Sequence, residues 1–414
     1  MSKPNFKRTK LACYTAYFTM SSIFSLPPIL FVTLRDMYGI SYTLLGTLVL
    51  TNFFTQLTID LIFTFFSKYF NVKKVVRVMP LITSVGLMLY ALSPTLFPNH
   101  VYLGLLLGTI TFSISAGLSE VLLSPVIAAL PSDNPQRDMS ALHSLYAFGV
   151  FTVVVVSTLF LRLFGTQNWM YLTFFWAALP ILSAILFMLS PMPDMNTEAA
   201  TAGTGASRRK TVGLALCTAC IFLGSCAENT MSNWISGYME NALHLDKTLG
   251  DILGMAMFAI LLGIARITYA RFGKNIMRVL MVGMVGAALC YLTVGLTSNT
   301  ILAFIACIFT GLVTSMLWPG TLIMMEENIP GIGVAAYALM ASGGDLGASV
   351  APQLMGIVID RVTLSDYAAK RAIETGLTAE QIGMQTGMLV TSLFPIAGII
   401  LLLFIIRFFR RNKA

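Results

Sequence analysis

The chain has 414 residues, of which 57% are hydrophobic and only 11% charged, and this excludes a soluble domain of any size. The formal net charge of +8 does not mark a nucleic-acid binder. The basic residues are spread over short segments between apolar runs, with no basic face interleaved with aromatics, so membrane topology accounts for the charge better.

Twelve apolar stretches begin near Leu11, Ser41, Val75, Val101, Asp138, Trp169, Thr211, Thr248, Ile276, Thr300, Gly333 and Gly383. Each is about 20 residues or longer, enough to cross a hydrocarbon core of about 30 Å at 1.5 Å per residue. With the N-terminus placed in the cytoplasm, 19 of the 26 lysines and arginines fall on that side and six on the other, while Arg266 lies inside a span. Losing or adding one span would destroy this bias, because lysine and arginine near short loops resist translocation. The expectation is an all-α membrane protein of twelve transmembrane helices, both termini cytoplasmic, in the cell (plasma or inner) membrane. The first apolar run follows a basic segment but is too long for a signal peptide and lacks its cleavage pattern, so it reads as the first span.

The sequence repeats itself. Tyr38 to Gly46 (YGISYTLLG) matches Ala242 to Gly250 (ALHLDKTLG), 204 positions later, each opening the second span of a half. Gly117 and Pro125 enclose LSEVLLS in span four, as Gly311 and Pro319 enclose LVTSMLW in span ten. Between them lies MNTEAATAGTGASRRK, small, polar and basic, which reads as a flexible linker. The predicted organisation is an N-terminal six-helix half (1–192), a cytoplasmic linker (193–210) and a pseudo-symmetric C-terminal half (211–414). After span eleven, SDYAAKRAIETG reads as a short external helix ending at Gly376, and Thr378 with Gln381 offers a capping box for span twelve.

Ionisable side chains within spans cost at least ~2.5–3.5 kcal/mol, so each needs a partner, a cavity or a task. Span two carries Asn52, Gln56 and Asp60 on one face, and span four carries Ser113, Glu120 and Ser124. Span five adds His143 and Tyr146. In span seven Ser225, Glu228, Asn229, Ser232 and Ser236 form one face with Asn233 at its edge, while Trp234 and Tyr238 share another. Span eight contains Arg266, and span eleven carries Ser342, Asp345, Ser349 and Gln353. Spans three, six, nine and twelve carry little of this kind and suit outer, lipid-facing positions.

These stripes are expected to line a wet cavity. Candidate substrate contacts are Asn52, Gln56, Glu120, His143, Tyr146, Glu228, Asn229, Asn233, Trp234, Tyr238 and Asp345. Candidate ion-coupling acids are Glu120, Glu228, Asp345 and Asp60. Arg266 is expected to have a structural, gating or charge-relay role. Trp234 sits about 120° around the helix from Glu228, so both reach one cavity only if span seven bends, for which Gly237 is placed. Carboxylates, amides and aromatics together suit a polyhydroxylated solute. No metal site is expected: the six cysteines lie within spans, and Cys217 and Cys220 lack a second ligand pair at zinc spacing.

At these residues the chain resembles the major facilitator superfamily and, within it, the fucose permease-like sugar symporters. Glu228, Trp234 and Tyr238 look like that group's seventh helix, and GIARITYARFGK from Gly263 like its eighth, placing Arg266 on the family arginine. SMLWPG from Ser315 and SGGDLGASVAPQLMGIVID from Ser342 resemble its tenth and eleventh helices. Gly117–Pro125 resembles its fourth, and the resemblance implies proton coupling at Glu120. Three features depart from the pattern. The first-helix segment SLPPILF has no acid, Asp345 stands at a glycine position, and the loop signature is reduced to FFSKYFNVKK.

The reading is a secondary active transporter, not an enzyme, that takes up a sugar or related polar solute by alternating access. Its drive is a proton or sodium gradient, with no cofactor. It is expected to act as a monomer in the bilayer, with a small-molecule substrate and no nucleic-acid partner. The alternative is proton-coupled efflux of amphipathic or cationic compounds, using the same acids to attract cations.

Overall fold

The computed structural model describes residues 6–66, 69–133, 135–193, 208–329 and 334–410, so most of the predicted linker lies outside the described residues. Among these the chain is all helix, with no strand. Ten helical runs are long and apolar enough to cross a membrane. Helices Pro135–Phe164 and Val334–Thr363, of 30 residues each, add two more of sufficient length. The helices are α1 (Lys7–Tyr38), α2 (Tyr42–Phe66), α3 (Val72–Ala91), α4 (Val101–Ala128), α5 (Pro135–Phe164), α6 (Trp169–Met188) and α7 (Arg208–Gly237). After π-helical turns at Tyr238–Ala242 and Gly250–Ala256 come α8 (Met257–Phe272), α9 (Ile276–Leu296), α10 (Thr300–Thr314) and α11 (Pro319–Asn328). The chain closes with α12 (Val334–Thr363), α13 (Asp366–Thr375), α14 (Ala379–Thr391) and α15 (Leu393–Arg410).

The chain divides into two compact units, one of residues 1–38 and 51–199, the other of residues 39–50 and 200–414. In the first, glycines let backbones approach, as membrane interfaces require. A Cβ on Gly86 of α3 would meet the Phe112 backbone at 2.4 Å, and one on Gly108 of α4 would meet that of Tyr90 at 2.7 Å. Hydroxyls then join the helices: Thr83 donates to Ser115 Oγ at 2.8 Å, and Ser84 to the Ala177 carbonyl at 2.7 Å. Such bonds are worth about 0.6 kcal/mol each in a bilayer.

The second unit uses the same device. A Cβ on Gly347 of α12 would meet the Phe222 carbonyl of α7 at 2.3 Å, and one on Gly311 of α10 the Phe258 carbonyl of α8 at 2.3 Å. Gly117, the partner of Gly311 in the sequence repeat, lies against Gln56 and Ile59 of α2. The repeated glycine therefore marks the same kind of close helix contact in each unit. The first turns of α2 belong to the second unit because Asp360 accepts from the Tyr42 and Thr43 amides at 3.1 and 2.6 Å. This carboxylate satisfies two N–H groups that a helix start leaves without partners.

The predicted short helix is α13, capped by Ser365 and ended by Gly376 at φ 72°, and Thr378 and Gln381 form the predicted capping box.

Candidate functional site

The polar faces of spans two and four meet in the first unit. Asn52 Oδ1 accepts from Ser113 Oγ at 2.7 Å and from Gln56 Nε2 at 3.0 Å. Asn52 and Gln56 are buried, and this triad consumes both lone pairs of the Asn52 carbonyl. It joins α2 to α4 and engages the Asn52 carbonyl within the protein. Asp60, farther along α2, is half-buried.

Glu120, on the same face of α4 as Ser113, is exposed, and no ion pair to it occurs among the described residues. Around this part of the unit stand aromatic rings. Tyr17 lies within electrostatic reach of Glu120 and packs edge-on to Tyr146 at 6.3 Å, and Phe24 packs on Tyr146 at 5.8 Å. His143 lies in α5, but its side chain is outside the described residues.

In the second unit, Glu228 of α7 pairs with Arg266 of α8 at 3.1 Å. The pairing has a backbone cause. Pro319 has no N–H, so the Ser315 carbonyl four residues earlier has no helical donor. Span ten accordingly breaks between Thr314 and Pro319, and Arg266 Nε donates to Ser315 O at 2.9 Å. One guanidinium thus holds a freed carbonyl and a carboxylate together. Glu228 Oε2 is buried and accepts no hydrogen bond among the described residues. Asn229 and Ser232, half-buried beside it, bond to their own helix: Asn229 donates to Ser225, and Ser232 to the Asn229 carbonyl. Asn233 and Asp345 are buried.

Trp234 and Tyr238 stand elsewhere. Trp234 is 1% exposed, donates to the Pro352 carbonyl at 3.1 Å and packs on the Tyr42 ring at 5.7 Å. Tyr238 is fully buried and donates to the Val294 carbonyl at 2.8 Å. The π-helical turns begin only after Gly237, too late to swing Trp234 toward Glu228, so the 120° separation stands. Both aromatics occupy packing positions, with their polar groups already bonded. Trp234→Phe is expected to lose about 1–2 kcal/mol of stability, from the carbonyl left without its donor, while substrate affinity stays within twofold. Thermal unfolding and ligand titration of the purified variant check both halves of that expectation.

Sequence reasoning missed one charged cluster. Lys247 pairs with Glu240 at 3.2 Å and with Asp251 at 3.7 Å, and Asp251, which is fully buried, accepts from Ser236. The i,i+4 spacing of Lys247 and Asp251 was its only signal, at a span end where charges look ordinary.

Residues 12–352 match the sequence signature of the Major Facilitator Superfamily. No curated protein sequence matches the chain. Among solved structures, a bacterial homologue of the human lysosomal transporter Spinster aligns over 100% of this chain and 99% of its own, at 13% identity and a TM-score of 0.76. A D-xylose–proton symporter aligns over 94% and 96%, at 15% identity and a TM-score of 0.74. The fucose:proton symporter of E. coli aligns over 97% and 99%, at 13% identity and a TM-score of 0.60. At these identities the likeness is one of fold, and it agrees with the helical runs counted above. With the superfamily signature spanning most of the chain, this multi-pass membrane protein belongs to the Major Facilitator Superfamily of transporters.

Proposed function

We propose that this transporter couples the uptake of a sugar or related polar solute to protons, with Glu120 carrying the proton. One observation supports this reading above others: Glu120 stands on a membrane helix, exposed, with no ion pair among the described residues. A carboxylate on a membrane helix without a counter-charge is suited to binding a proton or a cation, which is what a coupling residue must do reversibly. Glu228, by contrast, has Arg266 as its counter-charge. With Asn229 and Ser232 it offers donors and acceptors in the mixture that hydroxyl-rich solutes require.

Sodium is less well served. Of the predicted partial set, Asn52 and Gln56 are buried and the Asn52 carbonyl is already engaged by Ser113 and Gln56, which disfavours their gathering around a hard cation. The second reading, efflux of organic cations, draws on Tyr17, which lies within electrostatic reach of Glu120, and on Tyr146 and Phe24, which continue the ring cluster from it and suit cation–π contact. A thermal-shift screen against sugars, polyols and quaternary amines, with and without sodium, separates the two readings. A ligand at 100 times its Kd adds about 2.7 kcal/mol of stability. Stabilisation by a sugar or polyol without sodium supports uptake, and stabilisation by amines alone supports efflux.

A further inference from the structure

The second unit holds a cavity of about 540 Å³ between α8, α9 and α10, separate from the Glu228 face of α7. Its walls are apolar, among them Ile264, Phe272, Val282 and Val313, and its one charged wall residue is Lys274. Phe272 and Val282 are 75% and 68% exposed, an arrangement that soluble surfaces avoid and a lipid-facing groove requires. Lys274 is held at the mouth by a three-residue turn. α8 ends at Phe272, Gly273 is extended, and Asn275, at φ 54°, caps α9 by accepting from the Arg278 amide. Arg271 and Arg278, both exposed, flank that turn in sequence. The groove extends over Ile264 to Phe272, roughly 12 Å of helix, the reach of an acyl segment rather than of a compact solute.

We infer that this groove is a binding site for an anionic phospholipid, with an acyl chain against α8–α10 and the phosphate at Lys274. Charge complementarity selects the occupant: a basic turn at the rim of an apolar slot suits a lipid that is negative at one end. The Ser315 backbone, whose carbonyl holds Arg266, belongs to the wall, so the lipid braces the turn that positions the Glu228–Arg266 pair. The charge-derived orientation of the chain decides only which leaflet supplies the lipid. Binding in detergent is independent of it and of the proposed substrate.

The test uses the purified full chain in neutral detergent, with phosphatidylglycerol and phosphatidylcholine of identical acyl chains as probes. Lipid retention is read by native mass spectrometry and thermal stability is read in parallel. Wild type is expected to retain phosphatidylglycerol at least about tenfold more tightly and to be stabilised by it. Lys274→Glu, at an exposed position, is expected to abolish that preference. Val282→Trp, also exposed, fills the slot without altering charge and is expected to displace both lipids. Equal retention of the two lipids by wild type would overturn the site. So would an unchanged preference in Lys274→Glu, or full phosphatidylglycerol binding by Val282→Trp, which would reduce the effect to surface charge.

Discussion

Glu120→Gln is expected to abolish concentrative uptake while leaving substrate binding and counterflow within about threefold of wild type. With one proton moved per substrate, a pH difference of one unit supplies 1.36 kcal/mol and sustains about tenfold accumulation. Glutamine keeps the shape and hydrogen-bonding capacity of the side chain but cannot exchange a proton. The variant should therefore equilibrate its substrate to a ratio of about one and lose the pH dependence of uptake. Exposure of Glu120 makes the substitution structurally mild, so a loss of accumulation reports on coupling rather than folding. Accumulation that follows the pH gradient as in wild type would remove Glu120 from the coupling role.

Arg266→Ala is expected to be the most destabilising of the polar substitutions, by about 2–3 kcal/mol. Removing one partner of a buried ion pair typically costs about 3–5 kcal/mol, because the remaining charge has no compensation. Arg266 keeps 40% side-chain exposure against 17% for Glu228, so the lower figure applies. Two groups lose their donor at once, the Glu228 carboxylate and the Ser315 carbonyl freed by Pro319. Glu228→Gln should cost less, about 1 kcal/mol, since the more exposed arginine retains Ser315. The double variant Glu228→Gln with Arg266→Ala should recover part of the stability lost in Arg266→Ala alone, yet still fail to bind substrate. Unfolding of the four proteins in detergent gives the interaction energy directly. Additive losses would mean that the pair is not coupled.

Much of the fold was legible because the bilayer imposes one pattern on every crossing segment. Val101, Trp169, Ile276 and Thr300 start helices where hydropathy alone placed spans. The α13 helix and the Thr378 box were readable because caps are local chemistry. The spacing of the Gly–Pro pair is the same in both spans, but the structural consequence differs. Pro125 lies inside a continuous α4, whereas Pro319 follows a broken turn. That difference depends on what receives the freed carbonyl, and in the second unit Arg266 receives it. The spacing of Ser315 to Pro319, four residues, was the available signal.

The site was less legible. Helical periodicity puts Asn52, Gln56 and Ser113 on polar faces, but it cannot say whether two stripes bond to each other or present themselves to a ligand. Tertiary contact decides it, and the three close on one another. Trp234 and Tyr238 drew attention as aromatics near an acid, yet their angular offset already pointed to a different neighbour. The buried Lys247–Asp251 cluster is not legible from the sequence because its third member, Glu240, comes from the preceding helical turn and is brought to Lys247 by tertiary contact.

Proton movement measured during transport is the decisive test of coupling through Glu120. The purified chain, in lightly buffered proteoliposomes and sodium-free medium, is offered the solute that stabilises it most while external pH is recorded. External alkalinisation is expected in step with solute entry, close to one proton per solute, and none in Glu120→Gln vesicles. Solute entry that requires sodium and leaves the pH trace flat would contradict it.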